Sequence, residues 1–139
     1  MVDIIGAVLS YLLADSPVAA EVGSRVYVGA VPSSAVPETQ TATQPEKLLL
    51  LRYNGGSVHW RSANYIKAQI ETWCIAPVYQ DADAIDRDVY VAMRAIKKKV
   101  QDSVLLFSVG LGESPLMITD KATGWPTLIR QYEVIAGIN

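Results

Sequence analysis

The stretch YIKAQIETWCIA at residues 65–76, followed by Pro77 and then VYQDADAIDRDVYVAMRAIKKKV at 78–100, decides the fold. Its first half alternates. Ile66, Ala68, Ile70, Thr72, Cys74 and Ala76 fall on one side, and Lys67, Gln69, Glu71 and Trp73 on the other. Period-two alternation over this length predicts a strand with one buried and one wetter face. The second half changes period. Ala82, Ile85, Val89, Ala92 and Ile96 recur at steps of three and four, which predicts an amphipathic helix from Asp81 to Val100. Asp81, Asp83 and Asp86 at its start and Lys97, Lys98 and Lys99 at its end would both oppose the helix macrodipole favourably.

Working outward, Ile5, Val8, Leu9, Leu12 and Leu13 give a helix over 4–14, with Asp3 as its N-cap. A short second helix follows, capped by Ser16, with Pro17 at its first position and Gly23 as its stop. Short strands are expected at 25–28, 48–53, 104–109 and 116–119, and a last one at 127–136. Arg130 falls on the same side of that last strand as Leu128, Tyr132, Val134 and Ala136. Its charge must therefore emerge at an edge or find a partner. Residues 29–47 hold Pro32, Pro37 and Pro45 among serines and threonines and read as a long loop or arm. Asn54-Gly55-Gly56 opens a second loop, expected to run to about Asn64 and to carry His59-Trp60-Arg61. Strands and helices do not alternate regularly, so a doubly wound parallel sheet is excluded. The expected class is α+β: an antiparallel or mixed sheet covered mainly on one face by the long helix, with an N-terminal helix and long loops. All 139 residues form one domain.

Composition narrows the chemistry. Half the residues are apolar and 19% are charged, a globular balance. Twelve basic against fourteen acidic residues give a net charge of −2, without the positive excess of a nucleic-acid coat. One cysteine, Cys74, excludes a disulfide framework and a multi-cysteine zinc site, and one histidine, His59, restricts histidine catalysis. Met1–Ala14 is apolar, but Asp3 stands where a secretory leader carries a base, and the first base is Arg25. No apolar run nears the roughly 18 residues of a membrane span. The expectation is a soluble protein without membrane contact, made in a reducing cytoplasm.

Catalytic templates fail one by one. Cys74 lies on the apolar face of its strand, as a small core residue does. There is no G-x-S-x-G elbow, and Gly110-Leu111-Gly112 is too short for a dinucleotide fingerprint. Asp81, Asp83, Asp86 and Asp88 lack the glycine and closing glutamate of a calcium loop. No enzyme, cofactor or metal site is expected. The lysine triplet reads as a solvated helix end or as a phosphate contact. Trp60 with His59 and Arg61, and Trp125 beside Pro126, each read either as an interface anchor or as a cap folded over the core.

Four segments resemble the tail-terminator, or tail-completion, proteins of long-tailed bacteriophages. They are Leu12-Leu13-Ala14-Asp15-Ser16-Pro17 with Val22-Gly23-Ser24-Arg25-Val26-Tyr27; Val31-Pro32 with the strand Leu48–Tyr53; Glu71-Thr72-Trp73-Cys74 running into Tyr79-Gln80-Asp81-Ala82-Asp83; and Arg130-Gln131-Tyr132-Glu133-Val134. The resemblance spans nearly the whole chain but does not extend to Gly110–Pro126. It implies a structural virion protein that forms a ring, a hexamer, at the head-proximal end of the tail tube. The ring would end tube polymerisation and join the tail to the head connector or stopper. Its partners would be further copies of itself, the major tail-tube protein and that connector, with genomic DNA passing through unbound. The protein would reside in the virion neck, and in the host cytoplasm during assembly. Another neck component, a head-completion or stopper protein, is the nearest alternative; a small nucleic-acid- or phosphate-binding module is the other. Pro32, Pro37, His59, Trp60, Arg61 and Trp125 are the expected interface residues.

Overall fold

The computed structural model describes residues 3–29, 47–53, 59–62, 65–111, 114–119 and 124–138. Two helices open the chain, α1 (Ile4–Ala14) and α2 (Ser16–Val22). Asp3 caps α1 as expected, its carboxylate accepting from the Gly6 N–H at 2.9 Å. The cap of α2 is Asp15 rather than Ser16: its carboxylate accepts from the Val18 N–H at 3.2 Å, and Ser16 is already helical. Gly23 ends α2 at φ 58, in the left-handed region open to glycine.

Strands β1 (Val26–Val28), β2 (Leu48–Tyr53), β3 (His59–Ser62) and β4 (Tyr65–Ile75) come next, then helix α3 (Tyr79–Arg94). Strands β5 (Lys97–Gln101), β6 (Val104–Leu111), β7 (Leu116–Thr119) and β8 (Pro126–Ile138) complete the chain. Among the described residues they form one sheet in the order β1-β2-β4-β8-β6-β5, with β3 also on β4 and β7 also on β8. β1 runs parallel to β2 and every other pairing is antiparallel, so the sheet is mixed. The class is α+β, as the sequence predicts.

Two long strands make the spine. β4 and β8 pair over eleven positions, from Tyr65 with Gly137 to Ile75 with Thr127. β2 and β3 lie end to end along the outer edge of β4, and β6 and β7 along the outer edge of β8. The alternation read in 65–76 is realised: Ile66, Ala68, Ile70, Thr72 and Cys74 are buried, while Lys67, Gln69, Glu71 and Trp73 are partly exposed. Leu128, Tyr132, Val134 and Ala136 of β8 join the buried side. Helix residues Ile5, Val8, Leu12, Ala82, Ile85, Val89, Ala92 and Met93 pack onto it in one continuous core. The Tyr11 hydroxyl ties α1 to α3 by donating to the Ala92 carbonyl at 2.7 Å.

Further expectations need correcting. The long helix stops at Arg94, not Val100, and the lysine triplet lies on β5. Ile96 stays buried, so the apolar spacing persists past the helix end. The chain then pairs with β6 through a two-residue turn in which Asp102 (φ 51) and Ser103 (φ 63) both take positive φ, the geometry of a type I′ hairpin. Second, His59-Trp60-Arg61 is strand, not loop: His59 sits opposite Lys67 and Trp60 opposite Ile66. Third, Asp86 is not a solvated helix-start charge. It faces the core at 1% exposure. Fourth, the last strand is longer than 127–136, starting at Pro126 and ending at Ile138.

Candidate functional site

The helix-covered side of the sheet hides an ion pair. Arg130 reaches Asp86 through two hydrogen bonds, Nε–H to Oδ1 at 3.1 Å and an Nη2 hydrogen to Oδ2 at 2.8 Å. This is the side-by-side arrangement in which a guanidinium best matches a carboxylate. Tyr90 contributes its ring face, 4.7 Å from the guanidinium carbon. Arg130 is held even more firmly protonated than usual, first by the Asp86 hydrogen bond. The pair pins α3 to β8, and its closed geometry suits a strut rather than a reagent.

Cys74 lies nearby on the same buried face, and burial pushes its thiol well above the usual range, Asp86 adding to the effect. A thiolate is disfavoured there, so the nucleophilic form has no support. His59 sits opposite Lys67, seven residues along β4 from Cys74, so their backbones lie about 23 Å apart at strand rise. Those two residues do not form a pair. Among the described residues no group of three or more His, Cys, Asp or Glu side chains is placed to hold a metal ion. No single helix among them is long and apolar enough to cross a membrane.

Tyr132 is the other buried titratable group, 1% exposed. Its hydroxyl finds no hydrogen-bond partner among the described residues. Burial, then Asp86, pushes its pKa far up. Both Cys74 and Tyr132 are therefore held neutral in the fold. Folded pKa values above the unfolded ones mean that this stability is whole below the ordinary values of 9.0 and 10.0. It drains as pH rises past them, where the unfolded chain releases protons that the fold retains. We predict that Tyr132→Phe melts at or above the wild-type temperature, gaining about 1 kcal/mol by removing an unsatisfied hydroxyl. Its stability should also fall less between pH 9 and 11. A melting series across pH checks both, and a clear loss at neutral pH would show that the hydroxyl has a partner.

The opposite side of the sheet is more open. Lys67 pairs with Glu133 at 3.0 Å. The Trp73 indole N–H donates to the Glu71 carboxylate at 3.0 Å, and the Arg52 guanidinium stacks 5.2 Å from the Trp73 ring. Arginine, tryptophan and half-exposed charges on a sheet face are the residue types of a protein-binding surface. At one end of this side a second small core closes over Trp125, which is 4% exposed and packed with Leu48 and Ile75, Tyr27 and Trp73 beside them. Apolar side chains also stand exposed at the sheet edge: Leu116 at 64% and Met117 at 57% on the four-residue strand β7. Exposed apolar edges invite pairing with another chain.

The expected interface residues are not gathered in one place. Pro32 and Pro37 lie outside the described residues, and so does nearly all of the 29–47 arm. His59, Trp60 and Arg61 sit on β3 at one end of β4; their side chains are outside the described residues. Trp125 is buried at the opposite end, where Leu48 pairs with Ile75, about 25 Å away along the strand. The sequence reading missed Arg52, Trp73 and the Asp86–Arg130 pair. A usable signal existed for the last: an acid on the apolar stripe of the helix and a base on the apolar side of the last strand.

A chain of the virion of a native gene transfer agent (GTA) particle has this fold. The two share 18% identity and a TM-score of 0.62, covering 96% of this chain and 94% of that one. The likeness thus spans nearly the whole length of both chains. No family model matches the sequence, and no curated protein matches it.

Proposed function

We propose that this protein is a structural component of a phage-like virion: a ring at the head-proximal end of the tail tube that ends tube polymerisation and joins the tail to the head connector. The observation that carries the reading is the end-to-end likeness to a chain of a GTA virion, set beside the four sequence segments that resemble tail terminators. The surface supports it. A domain with an open aromatic and charged sheet face and an apolar edge strand has more contact area than a solitary monomer needs. A ring closes when each subunit offers two different complementary patches, repeated by rotation. A mildly acidic chain, net −2, also suits a channel that lets DNA pass without holding it.

The test is absolute mass by light scattering over a concentration series, with and without the tail-tube protein. Six times the 15.1 kDa chain mass, alone or only with the tube, supports the ring. A monomer that ignores the tube at every concentration overturns it. Trp60 supplies a sharper check. Trp60→Ala is expected to weaken ring or tube association about tenfold or more, the loss of one aromatic hot spot, with the melting temperature unchanged. A lowered melting temperature with association intact would make Trp60 a core cap instead.

A further inference from the structure

We infer that copies of this chain associate head to tail, the lysine strand β5 of one copy seating against the acidic surface of α2 and the start of α3 on the next. The inference rests on the ring reading and names its contact.

The two surfaces lie at opposite ends of one rod. α3 is 16 residues long, about 24 Å. Along α2 and the first ten residues of α3 stand Asp15, Glu21, Asp81, Asp83 and Asp88. Lys47 answers Glu21 at 2.9 Å and reaches Asp81 only at 3.9 Å, and Arg87 answers Asp83 at 2.7 Å. Asp88 has no such answer among the described residues. Burial pushes its pKa up, and the nearby Glu21 and Asp15 carboxylates add to the effect. At the other end of α3 Arg94, and past it Lys97, Lys98 and Lys99, are all exposed, Arg94 lying 5.8 Å from the Tyr90 ring and Lys98 5.9 Å from the Phe107 ring. No ion pair among the described residues engages the three lysines, and the nearest acid in sequence is Asp102, on the hairpin turn.

Each end also carries apolar surface for a partner to bury. Val78 and Tyr79, both 47% exposed, adjoin the acidic end; Val100, 48% exposed, lies on the lysine strand. An apolar centre edged by charge is the usual anatomy of a specific contact. Because the two patches differ and are complementary in sign, the contact is heterologous and repeats from copy to copy, as a ring requires. Like ends repel, so a symmetric two-fold pairing through either patch alone is disfavoured. β5 is moreover an outermost strand of the sheet, paired only with β6 among the described residues and exposed from Lys97 to Val100.

The experiment is charge exchange, read by light scattering under the conditions that assemble the wild type. Lys97→Glu/Lys98→Glu/Lys99→Glu makes both ends acidic, and Asp81→Lys/Asp88→Lys makes both ends basic. Each variant, shown to be folded by circular dichroism, is expected to need at least tenfold more protein to assemble. Raising salt to about 1 M, where screening shortens to about 3 Å, should weaken the wild type in the same direction. An equimolar mixture of the two variants restores complementary ends in alternation and should recover the wild-type midpoint to within about threefold. Variants that assemble singly like the wild type overturn the inference and leave the ring standing. Loss in both variants without recovery in the mixture overturns the pairing of these two surfaces. A wild type that stays monomeric even with tail-tube protein overturns the ring and the inference together.

Discussion

Arg130→Met should cost the protein about 3–5 kcal/mol, the usual penalty for stranding one member of a buried ion pair. For a domain of this length that is roughly 10–20 °C in melting temperature. The reason is the asymmetry of the site. The Asp86 side chain is 2% exposed, and the Arg130 side chain 13%. Removing the arginine leaves a carboxylate with almost no water and without the two hydrogen bonds that the guanidinium donates to it. Removing the acid instead, as Asp86→Asn, leaves a guanidinium that still faces the Tyr90 ring and keeps some contact with solvent. Asp86→Asn should therefore be the milder change. The double variant Asp86→Leu/Arg130→Met removes both charges together and should return to within about 1 kcal/mol of the wild type, or exceed it. Chemical denaturation of the four proteins gives the coupling directly. If Arg130→Met costs under 1 kcal/mol, the pair behaves as a surface pair and the strut between α3 and β8 is absent.

This pair also shows how far the sequence was legible. The parity of 65–76 assigns the faces of β4 correctly, because a strand buried on one side must alternate. The same parity, applied to 127–136, puts Arg130 on the buried side and demands a partner for it. What the sequence did not reveal is the partner's identity. Asp86 lies among Asp81, Asp83 and Asp88, and a run of acids near a helix start has a cheap explanation in the macrodipole. Yet Asp86 follows Ala82 by four residues and precedes Val89 by three, so it stands on the apolar stripe. Spacing outranks composition there.

The helix end was harder for a different reason. Ile96 continues the apolar spacing of Val89 and Ala92 and is buried, but it is buried after the helix has ended. Periodicity records which side chains reach the core, not which backbone carries them. Only the hairpin at Asp102-Ser103 turns 97–101 into strand, and Asp-Ser lacks the Asn-Gly or Asp-Gly signature of such turns. The consequence is functional. Three lysines on a helix end would be spent on the helix dipole; on an edge strand all three stay exposed, with Lys98 over the Phe107 ring. Likewise β3 is only four residues long and follows Gly55-Gly56, so turn signals mask it. The candidate site suffered most, since surfaces for protein contact carry no spacing rule comparable with that of metal ligands or phosphate loops.

Trp125→Ala should cost about 3–5 kcal/mol, as truncation of a buried large aromatic does. Trp125 stood open as either an interface anchor or a core cap, and this variant separates the two. The indole is 4% exposed and seals the small core made with Leu48 and Ile75, where the first pair of β2–β4 meets the start of β8. Next to it, the Thr127 hydroxyl donates to the Trp125 carbonyl at 3.3 Å, and the Ala76 N–H donates to the Pro126 carbonyl at 3.4 Å. Deleting the ring opens a cavity on the side of the sheet that the helices do not cover, with Tyr27 and Trp73 only partly buried at its border. Trp125→Phe, which keeps part of the volume, should lose less than half as much. The decisive comparison is between melting and mass. If Trp125→Ala lowers the melting temperature yet still assembles when cooled well below it, Trp125 acts inside the subunit. If the variant melts like the wild type and fails to assemble, the ring must leave its pocket to meet a neighbour, and the small core is a docking element rather than a seal. The burial of Trp125 in the isolated chain favours the first result, because an anchor already packed against its own sheet would have to give up that contact before it could make another.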